Sequence, residues 1–134
     1  PSFRETYIVA PDTGATKKCE DFAKRVGAAG VVTCSKTREL STGEITGMSC
    51  DQDVTGLNLF VLDDICDGGR TFIELAKMFG SKPLTIELAV THGIFSKGVE
   101  VVLTEFDHVY TTNSFRSDLN DPDWEGLTVI EVYD

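Results

Sequence analysis

The sequence predicts an α/β fold, with a mostly parallel central sheet flanked by helices, in a single domain over residues 1–134. Three observations carry that expectation. Short β-rich apolar runs alternate with segments whose apolar residues recur at helical spacing. One run, residues 57–62 (LNLFVL), is apolar except for a single Asn, as befits a central parallel strand buried on both faces. The chain has 134 residues, 41% hydrophobic and 25% charged, enough for one core but not for two domains.

Taken in order, Thr6–Ala10 (TYIVA) reads as a buried strand stopped by Pro11. Over residues 14–26, Cys19, Phe22, Ala23 and Val26 give one apolar face to an otherwise charged helix, and Gly27 ends it. Residues 31–34 form a second strand. The polar stretch from Lys36 to Asp53 has two interior glycines and little helical periodicity, which predicts a long loop or a loose hairpin. The strand at 57–62 is expected to end abruptly at Asp63 and Asp64. A helix follows over 71–79, burying Phe72, Leu75, Ala76 and Phe79 and stopping at Gly80. Strands are expected at 84–90, 108–111 and 127–132. Residues 99–106 suit a helix by position, although their valines favour strand, and 118–125 is acidic and turn-rich.

Asp plus Glu number 22 against 12 Lys plus Arg, a net charge of −10. Nonspecific nucleic-acid and anionic-membrane binding need a cationic surface, so neither is expected. No apolar run approaches the ~20 residues of a membrane span, and no secretory leader is visible. Cys19, Cys34, Cys50 and Cys66 contain no CxxC pair and make no zinc-like cluster with His92 or His108. Free thiols in a cytoplasmic compartment are expected. The chain begins at Pro1 rather than Met, which suggests a piece of a longer polypeptide.

Chemistry concentrates in residues 60–71, FVLDDICDGGRT: an apolar strand, three carboxylates, two glycines, and a hydroxyl at a helix start. Three acids at the carboxyl end of a buried strand repel one another unless a cation or sugar hydroxyls stabilise them. Gly68 and Gly69 let the backbone approach an anion, and the amides of the following helix terminus point at it. These residues suit a phosphorylated polyol, at the place where ligands of open α/β sheets sit. The plain alternative is an acidic turn with Asp67 as helix N-cap.

This run resembles the signature of the type I phosphoribosyltransferases and of ribose-phosphate pyrophosphokinase, an apolar strand followed by D-D-x-x-D-T-G-G-T. Residues 10–18 (APDTGATKK) look like the family's P-D-x-G-x-x-x-R/K loop, and 32–38 (VTCSKTR) resembles the strand leading into the pyrophosphokinase K-R-R catalytic loop. Residues 91–96 (THGIFS) and 110–114 (YTTNS) look like two late pyrophosphokinase motifs. The resemblance covers residues 7 to about 114 and is to the second half of that enzyme. It therefore implies a type I phosphoribosyltransferase-like fold, the C-terminal half of a two-domain enzyme that is inactive or incomplete alone, and a homo-oligomer at full length.

The implied reaction moves a pyrophosphoryl group from Mg-ATP to the anomeric hydroxyl of ribose 5-phosphate. Lys36 and Arg38 match the first and third basic positions of the catalytic loop and would stabilise the transferring phosphates; Thr37 departs at the middle position. Asp63 and Asp64 match acids that hold ribose hydroxyls, directly or through Mg²⁺. Asp67, Gly68, Gly69, Arg70 and Thr71 match the 5-phosphate loop. Asp12 matches a carboxylate implicated in Mg²⁺-substrate binding, or it caps the helix after it. His92 is expected to be structural and Cys66 a packed small hydrophobe. Where the family reads T-G-G-T, this chain reads Gly68-Gly69-Arg70-Thr71, losing a hydroxyl and gaining a cation. That departure leaves room for a larger 5-phosphodiester such as ADP-ribose as acceptor. The competing readings are a compact phosphoribosyltransferase that uses phosphoribosyl pyrophosphate, and a non-catalytic regulatory subunit of the synthetase.

Overall fold

The structure, a computed structural model, describes residues 3–114 and 124–130. In chain order its strands are β1 (Thr6–Ala10), β2 (Gly30–Arg38), β3 (Ile45–Cys50), β4 (Asn58–Cys66), β5 (Thr85–Gly93), β6 (His108–Thr112) and β7 (Leu127–Ile130). The helices are α1 (Thr16–Val26), α2 (Arg70–Phe79) and α3 (Glu100–Leu103). The strands make one sheet in the order β3-β2-β1-β4-β5-β6-β7. Every pairing is parallel except the β2–β3 hairpin.

Strand alternation sends Ile8 and Ala10 to one face and Val9 to the other. On the first face α1 lays Cys19 and Ala23 over the sheet; beside them Phe22 stacks on Phe60 and Phe3 meets both edge-to-face, with ring centroids 5.2–6.1 Å apart. On the other face Phe72, Leu75 and Phe79 of α2 and Val102 of α3 pack on Val9, Leu59 and Val61. Each large side chain of α2 removed from water contributes about 1.5–3 kcal/mol. These contacts, more than helix propensity, hold a ten-residue helix in place.

The predicted strands and helices are all present where residues are described, with shifted ends. The predicted strand 31–34 continues to Arg38, and the stretch expected to be a loop or loose hairpin supplies β3 as its antiparallel partner. β4 does not stop at Asp63; its pairing with β5 continues through Asp63↔Val90, Ile65↔His92 and Cys66↔Gly93. Backbone hydrogen bonds to a neighbouring strand therefore carry the acidic residues in extended form. The helix expected over 99–106 is confined to Glu100–Leu103. The acidic stretch at 118–123 and the last residues of the strand predicted at 127–132 lie outside the described residues. Among the described residues no helix is long and apolar enough to cross a membrane.

The topology positions the site. From β1 the chain runs outward to β2 and β3 on one side, and β4 to β7 extend on the other. The order thus reverses between β1 and β4, and the crevice beyond the carboxyl ends of those two strands is where such sheets take ligands. Asp12 follows β1, Lys36 and Arg38 end β2, and Asp63 to Thr71 span the end of β4 and the start of α2.

Candidate functional site

At the end of β1, Asp12 caps the 3-10 turn Thr13–Ala15, its Oδ1 accepting from the Ala15 amide at 3.1 Å. Its other oxygen lies 3.8 Å from Lys36 Nζ. Asp12 thus both caps the turn before α1 and faces a cation of the neighbouring strand. Lys36 is only 18% exposed along its side chain, so its stem is sheltered and its ammonium is aimed at the crevice. Arg38 is placed differently. Its Nη1 donates to the Gly43 carbonyl at 3.0 Å, across the turn of the β2–β3 hairpin. The two basic residues are therefore separated, Lys36 facing Asp12 and Arg38 bracing the turn.

Asp63 and Asp64 sit side by side, the Asp64 amide donating to Asp63 Oδ1 at 2.9 Å. Lys18, from α1, reaches both: its Nζ is 2.5 Å from Asp64 Oδ1 and 3.7 Å from Asp63 Oδ1. Burial pushes the Asp63 carboxyl above the ordinary carboxylate range, against the opposing pull of the Asp64 amide and Lys18. For Lys18, partial burial pulls the ammonium down, but the hydrogen bond and charge of Asp64 outweigh it and its pKa is raised. Lys18 occupies the last position of the 10–18 motif but was not among the residues predicted for the site. The signal was its place on the polar face of α1, four residues after Gly14.

After β4 the chain turns into α2 through residues 67–69. Gly69, not Asp67, is the N-cap, and no side chain caps the helix. Its φ of +81° lies in the left-handed region, and a Cβ there would come within 2.9 Å of Val102 Cγ2. Only glycine meets both demands. The first amides of α2 have no partner within the helix, and they open into a cavity of about 270 Å³ bordered by residues 67–72 and Ile65. Asp67, Gly68, Gly69, Arg70 and Thr71, predicted as one loop, all line it. Cys66, fully buried with its thiol pushed up to about 12 by burial, has the inert packing role expected of it.

The loop after β5 is tied to this one. The amides of Ile94 and Phe95 both donate to the Cys66 carbonyl, at 2.9 and 3.2 Å, and Ser96 donates to the Asp67 carbonyl at 3.1 Å. His92 Nδ1 lies 2.7 Å from Ser114 Oγ, and Thr112 and Ser114 hydroxyls donate to the Thr91 carbonyl. His92 is therefore bonded to the neighbouring loop, as expected. These bonds brace the loops that follow β4, β5 and β6 against one another.

Two groupings result: Asp12 with Lys36, and Lys18 with Asp63 and Asp64, with the 67–71 loop beyond them. Among the described residues no three His, Cys, Asp or Glu side chains cluster as a ready-made metal cage. The arrangement offers acids where sugar hydroxyls or a hydrated cation would sit, and backbone amides where a phosphate would.

No family model matches the chain. Among solved structures it is similar to the phosphoribosylpyrophosphate synthetase of Mycobacterium smegmatis, with a TM-score of 0.80 and 24% identity over 96% of this chain and 41% of that one. A hypoxanthine-guanine phosphoribosyltransferase of Bacillus anthracis is similar at a TM-score of 0.53 and 20% identity, over 66% of this chain and 54% of that one. Sheet order, helices and the acidic strand end thus define a type I phosphoribosyltransferase fold. Among curated sequences, the ribose-phosphate pyrophosphokinase of Thermococcus kodakarensis is 31% identical over 111 residues, 80% of this chain and 38% of that protein. That of Corynebacterium efficiens is 30% identical over 131 residues, 93% of this chain and 39% of that protein. The chain is a homologue of the ribose-phosphate pyrophosphokinases, and it spans about two fifths of the length of these two relatives.

Proposed function

We propose that this chain supplies the sugar-phosphate site and catalytic strand of an enzyme that transfers a pyrophosphoryl group from ATP to the anomeric hydroxyl of a 5-phosphorylated ribose. The observation that carries the reading is the sequence of groups along one strand end: Asp63 and Asp64 extended at the carboxyl edge, then Gly69 at the N-terminus of α2 above an open cavity. The homology to ribose-phosphate pyrophosphokinases supports the same assignment.

In this reaction the anomeric oxygen attacks the β-phosphorus of ATP, the bond from that phosphorus to the α-phosphate oxygen breaks, AMP leaves, and the hydroxyl proton is lost to solvent or a base. Such transfers depend on positioning and charge stabilisation more than on covalent help from the protein. Asp63 and Asp64 accept hydrogen bonds from the ribose hydroxyls. The α2 amides and Thr71 hold the 5-phosphate. Lys36, sheltered and beside the crevice, stabilises charge on the migrating phosphates, and Arg38 joins it only if its bond to Gly43 is released.

Asp63, Asp64 and Asp12 do not form a ready-made cage, but each offers carboxylate oxygens of the kind Mg²⁺ takes together with substrate phosphates and water, and these residues would hold it. The partly desolvated Asp63 carboxyl, held above its ordinary pKa, is a group that a cation would relieve. Magnesium bound there would neutralise polyphosphate charge. Lys18 stands in for part of that positive charge at Asp63 and Asp64.

Titration calorimetry with ribose 5-phosphate and Mg²⁺ tests the assignment. Binding by the wild type, weakened about tenfold or more by Asp64→Asn, is the expected result. Absence of binding, or equal binding by the variant, would overturn it. The acceptor class includes ADP-ribose as well as ribose 5-phosphate, because Gly68 replaces a hydroxyl and Arg70 adds a cation at the phosphate loop.

A further inference from the structure

We propose that Lys97 is a specificity-determining residue of this site, gripping with Arg70 a second phosphate beyond the ribose 5-phosphate, so that a 5-diphosphate ester of the ADP-ribose type is preferred to the 5-phosphate monoester. The inference rests on the reading of the site as one for 5-phosphorylated ribose.

Three observations converge on Lys97. The loop that carries it is fixed against the phosphate loop by the amides of Ile94, Phe95 and Ser96, which donate to the carbonyls of Cys66 and Asp67. Phe95 is 1% exposed and held at a φ of +50°, so the backbone just before Lys97 has little freedom to shift. From that anchored backbone the lysine stem lies over Gly68: its Cδ and Cε are each 3.8 Å from where a Cβ on Gly68 would stand. The stem thus passes beside Gly68, which together with Arg70 lines the cavity.

Gly68 itself is informative. Its φ lies outside the left-handed region, and a Cβ there would meet nothing within 4 Å except Lys97. Neither backbone nor packing therefore requires glycine at this position, unlike Gly69. What the missing side chain provides is space for Lys97 and for whatever Lys97 contacts.

The charges agree. In a chain of 22 acidic and 12 basic residues, Lys97 and Arg70 have no ion-pair partner among the described residues. Of the neighbouring carboxylates, Glu100 folds back over Gly98, and Asp67, whose carbonyl accepts from the Ser96 amide, makes no ion pair with Lys97 among the described residues. Two cations without an ion-pair partner among the described residues thus stand beside Gly68 and at the start of α2, next to a cavity that Asp67 also lines. A terminal monoester, with nearly two charges on one phosphorus, gains most from hydroxyl and amide donors packed around that one group. A diphosphate ester carries about one charge on each phosphorus. It places the first phosphate on the amides and the second between Arg70 and Lys97.

The test is titration calorimetry, with Mg²⁺, of ribose 5-phosphate, ADP-ribose and ADP on the wild type and on Lys97→Gln, Lys97→Arg and Gly68→Thr. Lys97→Gln is expected to weaken ADP-ribose about tenfold and ribose 5-phosphate less than about twofold, with Lys97→Arg restoring ADP-ribose. Gly68→Thr, which returns a hydroxyl and crowds the lysine stem, should shift preference toward the monoester. Equal losses on both sugars, no loss on either, or an equal loss on ADP, which lacks the acceptor ribose, would each overturn the inference. If the wild type binds ribose 5-phosphate in an Asp64-dependent way while Lys97→Gln leaves ADP-ribose unchanged, this inference alone fails. If the wild type binds neither sugar, the site assignment fails and takes the inference with it.

Discussion

Adjacent glycines in the turn between β4 and α2 have opposite physical demands. Gly69 combines a left-handed φ of +81° with a Cβ position 2.9 Å from Val102 Cγ2, so Gly69→Ala is expected to cost about 1–3 kcal/mol of stability in urea denaturation. Gly68→Ala, meeting only the lysine stem at 3.8 Å, should fall within about 0.5 kcal/mol of wild type. Equal costs would mean that the loop's conformation has been misread. Asp63 is subject to a different tension, because burial raises its folded pKa above the ordinary 3.8. The folded state then holds that proton more tightly than the unfolded chain does. Its contribution to stability is present below the unfolded pKa and is lost as pH rises through the folded value. Asp63→Asn should therefore raise the melting temperature at pH 7, with the gain shrinking as pH falls below 4. A constant gain across that range, or a loss at pH 7, would contradict the account. A site that stores this cost without ligand is suited to a cation or to hydroxyl donors.

At the scale of elements, the β2–β3 hairpin separates two roles that sequence alone had joined. Arg38 braces the turn through the Gly43 carbonyl, whereas Lys36 turns toward Asp12. Hydrogen exchange at residues 39–44 should accelerate in Arg38→Ala and stay unchanged in Lys36→Gln. In a full-length enzyme carrying this chain, the proposed pyrophosphoryl transfer should fall about 100-fold or more in Lys36→Gln. The same hairpin marks the limit of what could be read from sequence. β1, β4 and α2 were legible because continuous apolar runs and i, i+3, i+4 spacing survive in the letters. β3 was anticipated only as one of two alternatives, a loose hairpin or a long loop, since Gly47, Ser49 and Cys50 carry no strand signal and are held by pairing with β2. The end of β4 was misplaced at Asp63 for the same reason: the bonds that extend it belong to β5. Within the candidate site, residue type alone singled out the acids and glycines, which the structure places together at the end of β4 and the start of α2. Lys18 had a signal, the last position of the 10–18 motif, whereas Lys97 reaches its place from another element and nothing local distinguishes it from a solvated lysine.

For the whole molecule, one sheet with helices on both faces buries the reactive groups that the mechanism does not use. Cys19, Cys34 and Cys66 are buried, and burial pushes all three thiols up, Cys19 to about 11 and Cys66 to about 12. Cys50, opposite Cys34 with the sulfurs 3.3 Å apart, is only partly covered. A thiol-reactive dye at pH 7.5 should therefore modify Cys50 first and the other three only as the domain unfolds in urea; prompt reaction of all four would mean that the core is open. The same open sheet leaves its carboxyl edge as the place where charged groups gather, and the proposed function depends on that edge being the sugar-phosphate site. The most direct test is an amide chemical-shift titration of the ¹⁵N-labelled protein with ribose 5-phosphate and Mg²⁺. The account predicts saturable shifts concentrated at residues 63–72 and 91–97, and their loss in Asp64→Asn. Shifts centred elsewhere, or none at all, would contradict it.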